Sequence, residues 1–130
     1  MIALKALIVE DCGPMRRLLM HVLPLTQLAE FTFTEAADGL EGLAQVEAAP
    51  PDIIFVNCNM PKLTGIDSMR RVRASGAAGR LPIVMVSANR AASAVKAALE
   101  GADVFIAKPY TIATVKEHLA GLIDRIAAEE

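Results

Sequence analysis

The chain has no tryptophan, one tyrosine and two cysteines among its 130 residues. Two cysteines cannot build a disulfide framework and are expected to be reduced thiols. No apolar run approaches the ~18 residues that a membrane-spanning helix needs, so no membrane partner is expected. No basic block or aromatic-interleaved basic stripe is present. Thirteen Lys and Arg against fifteen Asp and Glu leave a formal net charge of −2, which argues against nucleic acid as a partner. The opening residues, Met1-Ile2-Ala3-Leu4-Lys5, lack a basic region and a cleavage site, so they are not a secretory signal and a cytoplasmic protein is expected. Repeats, low-complexity stretches and linkers are also missing, and residues 1–130 read as a single domain.

What is there in quantity is apolar residues, 54% of the chain, set in short runs that alternate with amphipathic segments. The runs are the length of buried strands. Strands are predicted over 4–9, 31–36, 53–56, 82–86 and 104–107. Helices are predicted over 15–23, with Pro14 in the first turn and Pro24 ending or distorting the helix, and over 39–48, 67–74 and 91–100. The last helix places Ile112, Val115, Leu119, Leu122, Ile123 and Ile126 on one side at helical spacing. Five strand–helix units of this kind predict an α/β fold, a doubly wound parallel sheet with helices on both faces. Such sheets bind ligands beyond the carboxyl ends of their strands, where the strand order reverses.

That rule gathers the chemically distinctive residues. Glu10 and Asp11 follow the first strand, Asn57 ends the third, Ser87 the fourth and Lys108 the fifth. Adjacent carboxylates suit Mg2+, a hard cation that takes oxygen ligands and bridges to phosphate. Asn57 and the backbone carbonyl of Asn59 complete the expected metal set. Ser87 can hydrogen-bond one phosphoryl oxygen and Lys108 can pair with another, the equipment of phosphoryl transfer. The acceptor is what fails. An aspartate there would form an acyl phosphate, whereas the carboxamide of Asn57 is neutral and resonance-stabilised. The pocket's acidic charge also drops from three to two, which should weaken Mg2+ binding. Charges ~4–5 Å apart at an effective dielectric of ~20 interact by about 3–4 kcal/mol, an upper guide to the size of that effect.

At this point the chain resembles the receiver domain of two-component response regulators, the single-domain chemotaxis type above all. The resemblance is carried by Leu7-Ile8-Val9-Glu10-Asp11, Met15-Arg16-Arg17, Glu35-Ala36-Ala37-Asp38-Gly39, Asn59-Met60-Pro61, Gly65, Val86-Ser87-Ala88, Gly101-Ala102-Asp103 and Lys108-Pro109. It implies a flavodoxin-like strand order, 2-1-3-4-5. It implies Mg2+ on Glu10 and Asp11, a switch hydroxyl at Ser87, a phosphate-sensing cation at Lys108 and an aromatic switch at Phe105. Asn59 and Asn89 fall where side chains tune dephosphorylation. Asn57 stands where the family has its phosphoacceptor aspartate. The implied partners are a sensor histidine kinase or phosphotransfer protein, and a downstream protein bound at the face of the fourth helix, fifth strand and fifth helix.

Plainer readings stand beside these. Glu10 and Asp11 also read as loop acids, with Asp11 capping the helix at Pro14, and Ser87 as the cap of the next helix. Phe105 reads equally as core. Cys12 and Cys58 follow Asp11 and Asn57 directly and read as small hydrophobes at the pocket rim. His21 and His118 have no metal-ligand spacing. A haloacid-dehalogenase-type phosphatase would want Asp-x-Asp where this chain has Glu10-Asp11-Cys12-Gly13, and no Walker or dinucleotide glycine motif occurs. The sequence therefore predicts a signalling module and not an enzyme. An aspartate restored at position 57 would take part in its own phosphorylation and dephosphorylation. Two versions remain: a phosphorylatable receiver carrying an inactivating change, and a natural pseudo-receiver that acts by binding protein.

Overall fold

The structure is a computed structural model and describes residues 1–58, 64–75, 80–89 and 91–129. Its elements run β1 (Ala3–Val9), α1 (Gly13–Leu25), β2 (Glu30–Ala36), α2 (Gly39–Ala48), β3 (Ile53–Asn57), α3 (Gly65–Ala74), β4 (Ile83–Ser87), α4 (Ala92–Leu99), β5 (Val104–Ala107) and α5 (Ile112–Ala128). The strands form one parallel sheet in the order β2-β1-β3-β4-β5. The expected α/β fold and strand order are those observed.

Successive strand residues face opposite sides of a sheet, and the two faces here carry two cores. Leu4, Ala6 and Ile8 of β1 join Phe55, Val84 and Val86 under α1 and α5, where Leu23 and Leu119 are fully buried. Leu7 and Val9 join Ile54, Val56, Ile83 and Met85 under α2, α3 and α4, against Val46, Met69, Val72 and Ala98. Each such side chain contributes roughly 1.5–3 kcal/mol when taken out of water. Both faces are therefore covered, which is why β3 and β4 read as unbroken apolar runs and not as alternating ones.

Local sequence sets the helix ends. Asp38 accepts from the Glu41 amide at 2.8 Å to start α2. Thr64 accepts from the Asp67 amide at 3.2 Å to start α3. Thr111 and Thr114 form a reciprocal capping box on α5. α1 has Cys12 at its N-cap with no side-chain cap bond, so Asp11 does not cap this helix. Pro24 does not end it either: α1 continues through Leu25. A proline deprives its helix of one amide donor, and in the final turn that loss is one bond at an end that is already fraying. α4 is the least anchored helix, with Ala98 its one buried residue and no side-chain cap.

Candidate functional site

The order β2-β1-β3 places the ends of β1 and β3 side by side, with β4 and β5 next in line. Backbone bonds fix those ends. Glu10 N–H donates to Ala36 O at 3.0 Å, Cys58 N–H to Val86 O at 3.2 Å and Lys108 N–H to Ser87 O at 2.9 Å. The Lys108–Pro109 peptide is cis. Gly65, at the start of α3, donates its amide to Cys58 O at 3.0 Å. A Cβ at Gly65 would collide with the backbone carbonyl of Asn57, so glycine is required for the chain to return this closely past the strand end.

On this frame Glu10, Asp11, Asn57 and Lys108 come together. The Asn57 amide nitrogen donates to Glu10 Oε2 at 2.7 Å and to Asp11 Oδ1 at 3.4 Å. Lys108 Nζ lies 3.0 Å from Glu10 Oε1 and 3.5 Å from Asn57 Oδ1. Glu10 is 6% exposed, so its charge is held largely out of water and its two oxygens are divided between the ammonium and the amide. The amide orientation follows from these neighbours, since the reverse would set an N–H against the ammonium.

Ser87 is 2% exposed and lies one strand further along the edge. Its hydroxyl accepts from the Asn89 amide at 3.0 Å. It does not cap α4, whose N-cap is Ala91. Asn89 is exposed and its side-chain oxygen accepts from the Ala91 amide at 3.1 Å. Phe105 is partly buried against the α2–α4 core. Asn59 lies outside the described residues.

Two features of this edge, Arg16 and Tyr110, have no role in the sequence reading, and a third, Cys58, is read there only as a rim hydrophobe. Arg16 donates through Nη1 to the Glu10 carbonyl at 2.7 Å and through Nε to Glu35 at 2.7 Å, tying the acidic loop to β2. Nothing in the local sequence announces those partners, which the fold supplies. Tyr110 lines a cavity of about 10 Å³ shared with Glu10, Asn57 and Lys108, above a floor that includes Ile8 and Phe55. Burial, and then the negative charge of Glu10, push its phenol up to about 12. The Cys58 thiol is also pushed up by burial, against opposing contributions from Ser87 and Lys108.

The donor set fits a hard cation in part. Glu10 and Asp11 already meet on one positively polarised group, the amide hydrogens of Asn57, and their oxygens are of the kind Mg2+ takes. Asn57 fits as a ligand with its amide turned about, which costs the contact between its oxygen and Lys108. Among the described residues no group of three or more His, Cys, Asp or Glu side chains converges, in keeping with one acidic ligand fewer than three carboxylates would give. No described helix is long and apolar enough to cross a membrane.

Comparison with known proteins points to one family and one fold. The family model described as the response regulator receiver domain matches residues 6–120. The chemotaxis protein CheY-3 of Vibrio cholerae is 34% identical over 124 residues, 95% of this chain and 94% of that protein. The solved structure of chemotaxis protein CheY4 of Vibrio cholerae superposes with a TM-score of 0.78 at 28% identity, covering 97% of this chain and 99% of that one. The receiver domain of a Pseudomonas aeruginosa sensor histidine kinase, with a magnesium ion coordinated in its active-site cleft, gives 0.80 at 24% identity over 96% and 98%. At that identity the last likeness bears on the fold.

Proposed function

The chain belongs to the response regulator receiver family of two-component signalling, and on that premise we propose that it is a receiver silenced at its phosphoacceptor position, Asn57. The observation that carries this reading is the placement of Asn57 between Glu10 at 2.7 Å and Lys108 at 3.5 Å. Its amide has no carboxylate oxygen to offer phosphorus. Glu10 and Asp11 would hold Mg2+, which when bound neutralises phosphoryl charge. Ser87 and Lys108 would receive the phosphoryl oxygens, Phe105 would report the change, and Asn59 and Asn89 would tune its reversal. The module is not an enzyme acting on a separate substrate.

Receivers work between a sensor histidine kinase and a downstream target. For this chain the proposed target face is α4, β5 and α5, where Leu99 and Ile112 are 47% and 42% exposed. The retained Glu10, Asp11, Ser87 and Lys108 favour an inactivating change laid on a phosphorylatable receiver. One observation favours the pseudo-receiver version: the amide satisfies Glu10 and Lys108 without any ligand.

The test compares this chain with its Asn57→Asp variant, given Mg2+ and a small acyl-phosphate donor. Intact mass should show one phosphoryl group on the variant and none on the chain as it stands. If the variant also stays unmodified, position 57 is not a phosphoacceptor and a binding module remains.

A further inference from the structure

α3 turns a hydroxyl into the apolar core that it shares with α2. Ser68 is 5% exposed, and among the described residues its Oγ meets no hydrogen-bond partner. A helical serine often bonds back to the carbonyl four residues earlier. Here that carbonyl, Thr64 O, accepts from the Ser68 amide at 2.9 Å, and the hydroxyl is not bonded to it. A buried hydroxyl left without a partner costs its desolvation, and folded proteins contain few of them.

The hydroxyl lines a cavity of about 10 Å³ between α2, α3 and the sheet. That is roughly the space of one water. Most of the wall is aliphatic, and aliphatic walls alone would leave such a space dry. Gly39 changes that balance. It lines the same cavity, is buried, and is the first residue of α2, so its amide has no acceptor within its own helix. The helix dipole makes that end attractive to an electron-rich atom. Gly42 lets α2 lie close against β1, since a Cβ there would stand 2.8 Å from Val9 Cγ2, and the space between stays small.

We propose that Ser68 and Gly39 hold one buried water in this cavity, an internal hydration site that joins α2 to α3. The water accepts from the Gly39 amide and hydrogen-bonds to Ser68 Oγ, so that both buried groups are satisfied through it. Val9 and Val56, which line the same space, immediately precede Glu10 and Asn57. The site therefore backs the acidic loop from the α2–α3 face, whether or not position 57 accepts phosphate.

A crystal structure of the full chain, at a resolution that orders internal waters, tests the proposal. It should show one water within about 3 Å of both Ser68 Oγ and Gly39 N. Ser68→Val puts methyl groups in place of the hydroxyl and should lose that water. Chemical denaturation supplies a second measure. Ser68→Ala should lower the urea midpoint, although alanine is the better helix former, because the water loses its anchor. If Ser68→Val does not fold, the parent crystal and Ser68→Ala decide. A dry cavity, a water that stays in Ser68→Val, or Ser68 Oγ bonded to a protein acceptor would each overturn the proposal. So would a raised midpoint in Ser68→Ala, the result expected when an unpartnered hydroxyl is removed.

Discussion

Glu10 serves two partners at once, and that sharing decides how the site behaves as single residues. One oxygen holds Lys108 and the other holds Asn57, so a carboxylate almost out of water is satisfied without a metal. Tyr110 feels the same charge. Its phenol is raised from 10.0 to about 12 by burial first and by Glu10 second. The folded chain therefore keeps the tyrosine proton over a range where the unfolded chain releases it. By proton linkage, stability from this group is complete below pH 10 and is lost as pH rises from 10 toward 12. Tyr110→Phe should fall less steeply in urea midpoint across that window than the parent. Parallel curves for the two proteins would show that the phenol contributes nothing. Tyr110 is the single tyrosine of the sequence and stands two residues after Lys108, yet the sequence reading gives it no role. Its place depends on the turn after β5 reaching back over Glu10, which is a tertiary fact.

Between elements, Asp103 joins three of them. One oxygen accepts from Arg73 of α3 at 3.0 Å and from the Ile83 amide of β4 at 2.8 Å, and the other from Arg125 of α5 at 3.0 Å. Arg73 also reaches the carbonyls of Leu81 and Gly101 at 2.6 and 2.9 Å. Asp103→Ala should cost about 1–3 kcal/mol, because the Ile83 amide loses a charged acceptor and two guanidiniums lose an anionic partner. Asp103→Asn should recover part of it by keeping an oxygen for Ile83. Chemical denaturation reads both, and an alanine variant as stable as the parent would reduce the cluster to surface decoration. Sequence patterning fares unevenly at this scale. α2 and β5 are found at their predicted limits, since Asp38 and the Pro50-Pro51 pair bracket one and a buried apolar run defines the other. α1 outruns its prediction at both ends. Pro14 tolerates an earlier start than the first apolar residue suggests, and Pro24 costs little so near the helix end. Asp103 and Arg73 were visible as charges, but which charges meet follows from strand order, which local patterning does not contain.

For the molecule as a whole, the acidic loop, Asn57, Ser87 and Lys108 meet because β1, β3, β4 and β5 stand in that order. That convergence was readable from the parallel α/β pattern and the residues that end each strand. The orientation of the Asn57 amide was not, since it depends on which neighbours reach it first. The amide couples the site to global stability through metal binding. A ligand that binds only the folded state stabilises it by RT ln(1 + [L]/Kd), about 2.7 kcal/mol at one hundred times Kd. For a domain of 130 residues one kcal/mol moves the unfolding midpoint by about 4 °C. Asn57→Asp, with three carboxylates at the proposed metal site, should therefore gain about 10 °C when Mg2+ is raised to one hundred times its Kd. The parent chain has two carboxylates and must turn its amide away from Lys108 to add a third ligand. If that weakens binding by one or two powers of ten, the same Mg2+ concentration should raise its midpoint by only about 2–6 °C. In the absence of metal the order should reverse, with Asn57→Asp melting lower because its third carboxylate faces Glu10 and Asp11 where the amide had donated to both. Calorimetry with and without Mg2+ measures both differences. Equal Mg2+ shifts in the two proteins would remove position 57 from the metal site, while leaving the fold and its family untouched.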